Sequence, residues 1–248
     1  MKKIFGQMCI SSLLALVVIF AGCKGTGSDN SASEKEDSAT DSIAEESATA
    51  DEEYVDLGLP SGRLWAKCNI GAKNPEDSGD FFAWGETTVK DKYIETNNKY
   101  YYVGSDENGF DALSVSKYNA VAYYGSVDNK MTLDPEDDAA TANLGEDWRM
   151  PTKEDMEELV AECTWTSTTI NGVEGFLVAG PNGNSIFLPI AGHIYLDEIS
   201  VADKGYYFTN SIDADDSNAY ALAFNSDNKP CIWSIYRYYG CPVRPVRK

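Results

Sequence analysis

Six cysteines and one histidine are the side chains of this sequence best suited to covalent or acid–base chemistry. Cys23 closes the run Phe20-Ala21-Gly22-Cys23, just after an apolar stretch from Met8 to Phe20 that only Ser11 and Ser12 interrupt. Lys2 and Lys3 lie ahead of it. The stretch is too short to cross a hydrocarbon core of ~30 Å as a helix rising ~1.5 Å per residue. Its length and positive start fit the h-region of a signal peptide. Small residues before a cysteine let the backbone lie extended in a lipoprotein signal peptidase. Cys23 is therefore expected to become a new N-terminus carrying acyl chains such as palmitate, each buried CH₂ adding about 0.8 kcal/mol of membrane affinity. The alternative is an ordinary secretory signal beside a chance cysteine. Cys9 lies within the peptide that would be removed.

Other constellations are weaker. A Ser-His-Asp triad would have to be built on His193, and no nucleophile elbow lies near it; a loop or turn histidine is the expectation. Asp134, Glu136, Asp137 and Asp138 form one acidic cluster, and Asp213, Asp215 and Asp216 another. Oxygen ligands of this kind could hold Ca²⁺, although neither cluster matches an EF-hand loop. A solvated loop, or an ion pair from Arg149 to a carboxylate such as Asp138, explains them equally well. Tyrosines are dense at 100–102, 123–124, 206–207, 236 and 238–239. Alternate members of a strand run face outward, and exposed rings serve sugar stacking or protein contact.

These residues sit in three segments: a signal peptide over 1–22, an acidic tether over 23–53, and one domain over 54–248. The tether is almost entirely Ser, Ala, Thr, Gly, Asp and Glu, with ten acids against Lys24 and Lys35. Such a composition cannot bury enough apolar surface to offset its ordering entropy, so disorder is expected. The remainder carries thirty acids against sixteen bases. That excess disfavours nucleic acid, whose binding needs Lys and Arg on phosphates. It leaves cations, neutral sugars or basic proteins as partners.

Within 54–248 one helix is well marked. Thr152 is an N-cap with Asp155 three residues on, and Met156, Leu159, Val160 and Cys163 form an apolar stripe. Glu154, Asp155, Glu157 and Glu158 should form its solvated face. Asn171-Gly172 predicts a tight hairpin turn, and Pro181–Asn184 a second one. Strands are expected at Leu64–Ile70, Gly175–Ala179, Ser185–Leu188, Tyr220–Phe224, Ile232–Tyr236 and Tyr239–Val246. The polar stretch Lys90–Lys130 is expected to be long loops with short elements.

Seven motifs in order carry a resemblance. They are Tyr54-Val-Asp-Leu-Gly-Leu-Pro-Ser-Gly62, Trp65-Ala-Lys-Cys-Asn-Ile-Gly-Ala72, Asn74-Pro-Glu-Asp-Ser-Gly-Asp-Phe-Phe-Ala-Trp-Gly-Glu-Thr87, Trp148-Arg-Met-Pro-Thr152, Cys163-Thr-Trp165, Gly180-Pro-Asn-Gly-Asn-Ser-Ile-Phe-Leu-Pro189 and Val243-Arg-Pro-Val246. Together they resemble the Fibrobacter succinogenes major paralogous domain family of bacterial surface lipoproteins, across essentially all of 54–248. The resemblance implies an α+β, C-type-lectin-like fold, distantly similar to formylglycine-generating enzymes: small twisted antiparallel sheets, one or two helices and long irregular loops. It implies an exported, anchored, outer-membrane and surface-exposed protein that binds something.

Against that pattern Cys68 and Cys163 are expected residues, whereas Cys231 and Cys241 are additions. The latter two lie on adjacent expected strands and are expected to pair as a disulfide. The sharper alternative is a redox or copper pair, activated by Arg237 and Arg244 nearby in sequence. The Arg-Gly-Gly-Ser-Trp type signature of the oxidases is absent. By analogy with the lectin-like fold, a ligand would meet Tyr207, Asn210, Asp213, Asp215, Asn218, Trp233 and Tyr236. The expected function is a non-enzymatic glycan-binding or adhesive module without a cofactor, Ca²⁺ being the one candidate. The alternatives are an assembly component of the cell surface or a pilus tip, and a degenerate oxidase.

Overall fold

Thr152 starts the longest helix among the described residues by the chemistry its neighbours dictate. Its side-chain oxygen accepts from the Asp155 N–H at 3.1 Å, and the Asp155 carboxylate accepts from the Thr152 N–H at 2.8 Å. This reciprocal pairing satisfies two donors that an α-helix leaves open at its start. The computed structural model describes residues 53–105, 111–200, 203–214, 218–225 and 227–247. Cys23, Asp215, Asp216 and the tether up to residue 52 lie outside these. Thr49–Lys248 forms one unit by its contacts.

The strands are β1 (Tyr54–Asp56), β2 (Leu64–Ala66), β3 (Phe81–Phe82), β4 (Tyr101–Ser105), β5 (Asp111–Val115), β6 (Trp148–Arg149), β7 (Thr164–Ile170), β8 (Val173–Ala179), β9 (Ser185–Pro189), β10 (His193–Tyr195), β11 (Glu198–Ser200), β12 (Lys204–Ile212), β13 (Ala219–Asn225), β14 (Asn228–Ile235), β15 (Cys241–Pro242) and β16 (Val246–Arg247). The helices are α1 (Ala139–Leu144) and α2 (Lys153–Glu162). Strands join in the orders β1-β2-β16-β6, β7-β8-β9 and β12-β13-β14, with two-stranded pairs β4-β5, β10-β11 and β15-β3. Every one of these pairings is antiparallel. Among the described residues the architecture is α+β, mostly small antiparallel sheets with two α-helices. Among the described residues no helix is long and apolar enough to cross a membrane.

The β12-β13-β14 sheet feeds two core clusters from its two faces. Phe208 and Ala221 pack with Trp84, Tyr118 and Cys241 on one side. Tyr207, Leu222 and Phe224 pack with Trp65, Met156 and Leu159 of α2 on the other. This division follows from the two-residue period of a strand. Gly205 makes room for it: a Cβ there would meet the Phe224 ring at 2.4 Å.

Several local expectations hold. Asn171 and Gly172 take φ values of 49° and 86°, the double left-handed turn that joins β7 to β8 in a tight hairpin. The second hairpin joins β8 to β9. Others need correction. The strand expected over Leu64–Ile70 stops at Ala66, and Tyr239–Val246 yields only the short β15 and β16. The stretch Lys90–Lys130 needs none: it holds short elements between loops, among them the five-residue pairing of β4 with β5. Asp155 is buried rather than solvated, because Arg149 reaches it at 2.6 Å and Arg63 at 3.1 Å. Arg149 therefore pairs with Asp155. Asp138 instead caps α1, accepting from the Ala140, Thr141 and Met150 N–H groups.

Arg237 and Arg244 are both fully buried. Arg244 donates to Asn69 Oδ1 at 2.8 Å and to the carbonyls of Lys67 at 2.6 Å and Phe187 at 2.9 Å. Arg237 donates to the carbonyls of Lys117 and Tyr118, and its guanidinium lies 5.1 Å from the Trp84 ring centroid. Both are structural clamps joining distant loops. Delocalised guanidinium charge tolerates such burial when its donors are satisfied.

Candidate functional site

One face of the β12-β13-β14 sheet carries a groove built by side-chain size. On β13 the floor is Ala223, with the buried Ala221 two residues before it. Tyr206 stands opposite Ala223 from β12, and Cys231 stands opposite it from β14. Phe208, Ala221 and Trp233 form the next row. Small residues flanked by large ones leave a cavity of about 400 Å³, lined also by Lys204, Asn225 and Lys229. Trp233 is 61% exposed, although its partner Ala221 is fully buried. An exposed indole on an edge strand can serve as a stacking surface for a ligand ring.

A second hollow of about 220 Å³ lies among tyrosines, lined by Glu95, Tyr101, Tyr124, Asn218, Tyr236 and Tyr238. Tyr236 and Tyr238 stack at 5.1 Å with their planes 10° apart. Tyr239 continues the cluster and stacks on His193 at 4.3 Å, and His193 meets Tyr206 edge-on at 5.2 Å. An aromatic ladder thus links residues of the two hollows. His193 is a buried strand residue of β10 rather than a loop histidine. Burial and the neighbouring Lys204 charge lower its proton affinity. A further cleft, about 520 Å³, is lined mainly by the 66–75 segment, and no exposed aromatic ring is among its described lining residues.

The expected ligand residues separate in space. Trp233 lines the alanine-floored groove, and Asn218 and Tyr236 line the tyrosine hollow. Tyr207 must be withdrawn: it is fully buried, and its hydroxyl donates to the Pro189 carbonyl at 2.9 Å. Asn210 is withdrawn as well. It is buried, its N–H donates to the Pro151 carbonyl and its Oδ1 accepts from Ser211. Asp213 is half-buried beside Asn218, whose carbonyl accepts from its N–H at 2.8 Å. Asp215 lies outside the described residues. Lys204, Tyr206 and Lys229 complete the groove and were not foreseen as a set. The alternation of alanine with larger residues in β13 was the one signal for the floor.

The first acidic cluster is held by lysines. Lys117 Nζ lies 2.7 Å from Asp134, 2.6 Å from Asp137 and 4.0 Å from Glu136, so an ammonium occupies the point where these three carboxylates converge. Lys99 reaches Asp137 at 2.5 Å, and the Tyr118 hydroxyl donates to it at 2.6 Å. Burial would raise the Asp137 carboxyl, but these donors outweigh it and hold the carboxyl well below the usual range.

The cysteines correct the expected disulfide. All four in the domain are free thiols, Cys231 exposed and Cys241 buried. β14 and β15 do not pair; β15 pairs with β3, placing Cys241 opposite Phe82. Burial pushes the Cys241 thiol well above its ordinary value, and the two arginines meant to activate it are spent on carbonyls. Cys163 is pushed up to about 11 by burial and by Glu162 and Glu158. No family model matches this chain, and no curated protein or solved structure matches it.

Proposed function

We propose that the chain is a lipid-anchored, surface-exposed protein of the outer membrane, non-enzymatic, whose 54–248 domain is C-type-lectin-like and binds glycans in the groove beneath Trp233. The observation that carries this reading is the exposed indole of Trp233 at a groove floored by Ala223. A sugar ring laid on that face buries its C–H surface against the indole, and its hydroxyls meet the amide and ammonium groups along the rim. Two short helices, small antiparallel sheets and long irregular connections support the lectin-like assignment. The seven motifs quoted above support membership of the Fibrobacter succinogenes paralogous domain family. The Ala21-Gly22-Cys23 run supports anchoring.

The test is a glycan array probed with the full chain in detergent micelles, with Ca²⁺ and again with a chelator. Binding that disappears in Trp233→Ala supports the reading, and chelator sensitivity would assign Ca²⁺ a part in it. No binding under either condition would sink it.

A second reading, as an assembly component making protein contacts, has its own observation. Leu196 and Ile199 are 44% and 55% exposed on or beside the β10-β11 hairpin, together with Tyr195, whose ring meets Tyr238 at 6.2 Å. Exposed apolar side chains grouped this way suit a protein partner. Cross-linking on intact cells from cysteines placed at 196 and 199 separates the two readings. An oxidase of the formylglycine-generating kind fits the geometry least, since it needs two accessible thiols and Cys241 is enclosed.

A further inference from the structure

We infer that the ligand of the Trp233 groove is an anionic glycan, its negative charge supplied by uronate carboxylates or sulfate esters. This rests on the glycan reading above and adds the chemical class.

The groove's lining is the starting point. Lys204, Tyr206, Asn225, Lys229, Cys231 and Trp233 face it, with alanine beneath, and no carboxylate is among the lining residues. Strand alternation puts Cys231 and Trp233 on one face of β14 and Lys204 with Tyr206 on the same face of β12, and Lys229, past the register shift between β13 and β14, also lines the groove. The two ammonium groups therefore rise from the outer strands on either side of the floor. Their backbones are two strand spacings apart, roughly 10 Å. Their flexible stems let both reach a ligand lying between them.

Charge sharpens the point. The whole sequence has a formal net charge of −20. In such a background the field repels anions, so an anion site needs cations held free of internal partners. Elsewhere in the domain Lys90, Lys99, Lys117, Lys130 and Lys153 each meet a carboxylate within 4.0 Å, and Lys73 and Lys92, which meet none among the described residues, lie outside the groove lining. Among the described residues neither Lys204 nor Lys229 has such a partner. Asp203 and Asp227 sit in the adjoining turns and are not among the lining residues, although the Asp203 charge is felt at Tyr206. A neutral sugar would need the indole and amide but would leave two ammonium groups unused. A simple anion would use the ammonium groups and leave the indole bare. A charged sugar uses both.

The experiment is a matched array of uronate-containing, sulfated and neutral oligosaccharides, probed with the full chain in detergent micelles at low and high salt. The variants are Lys204→Ala, Lys229→Ala, their Lys→Arg counterparts and Trp233→Ala. Charged probes are expected to dominate. Each Lys→Ala change should weaken them by about tenfold, the scale of one charge-assisted contact. The Arg variants should retain them, and high salt should weaken them. Which charged members bind assigns carboxylate or sulfate. Hits among neutral probes that depend on Trp233 but ignore the lysines overturn this inference and leave the glycan reading standing. No hits of either kind overturn both. Retained folding, read from the far-ultraviolet spectrum, keeps each loss attributable to the groove.

Discussion

Trp233 stands opposite Ala221 in the register of β14 with β13, so the widest side chain of the sheet face overlooks one of the narrowest. Neither core cluster includes Trp233. Trp233→Ala should therefore shift stability by no more than about 0.5 kcal/mol, as exposed substitutions do. The same change should remove ligand binding. Ala223→Leu should block the groove from below while leaving the indole in place. Urea midpoints read beside array binding check this; a large stability loss in Trp233→Ala would make the ring a packing residue.

Asp137 predicts a pH dependence. Its folded carboxyl lies below the unfolded value near 3.9. Its contribution is thus fully present above about pH 4 and is lost as pH falls through the lowered folded value. Asp134, Asp128 and Asp155 are lowered too and act with the same sign. Asp137→Asn should cost about 2–4 kcal/mol at neutral pH, because it strands two lysines and a tyrosine hydroxyl on a buried amide. It should also flatten the acid limb of Tm between pH 5 and pH 2.5. Calorimetry across that range gives the answer, and an unchanged slope would transfer the acid sensitivity to other carboxylates.

Thiol labelling tests the corrected cysteine chemistry. In the native protein Cys231 should react with maleimide first, with the half-buried Cys68 and Cys163 slower and Cys241 protected until unfolding. Peptide mapping by mass spectrometry identifies the order. A Cys231–Cys241 linkage in the unreduced protein would restore the pairing the sequence suggested.

Gly205→Ala tests the packing behind the groove. The added Cβ meets the Phe224 ring at 2.4 Å, so the ring or the strand must move. A loss of about 1–3 kcal/mol is expected from such overpacking. The double variant Gly205→Ala/Phe224→Leu should recover part of it, which a purely conformational effect of glycine would not.

Legibility followed the range of the interaction. The Thr152–Asp155 cap and the Asn171-Gly172 turn are written in adjacent residues, and both stand where they were expected. Helix α1 escaped because its cap, Asp138, sits among acids that read as a cluster. Asp137 looked like a metal ligand because Lys99 and Lys117 come from distant segments. Tyr206 and Tyr207 show the limit of strand alternation. It states that neighbours face opposite ways, yet only the surrounding layers decide which one is buried. The pairing of Lys204 with Lys229 across the groove needs the register of three strands. No local pattern carries that register.

The pairing of Trp65 with Val246 has a consequence in time. A chain that emerges N-terminal end first presents β2 and β6 long before β16 exists to join them. The Arg244 clamp on Ala66, Lys67 and Phe187 is missing for the same interval. Contacts this distant along the chain form late and slowly. The sheet that joins β2 to β6 therefore cannot close until β16 has appeared, so the two ends of the domain are fastened together in one late step.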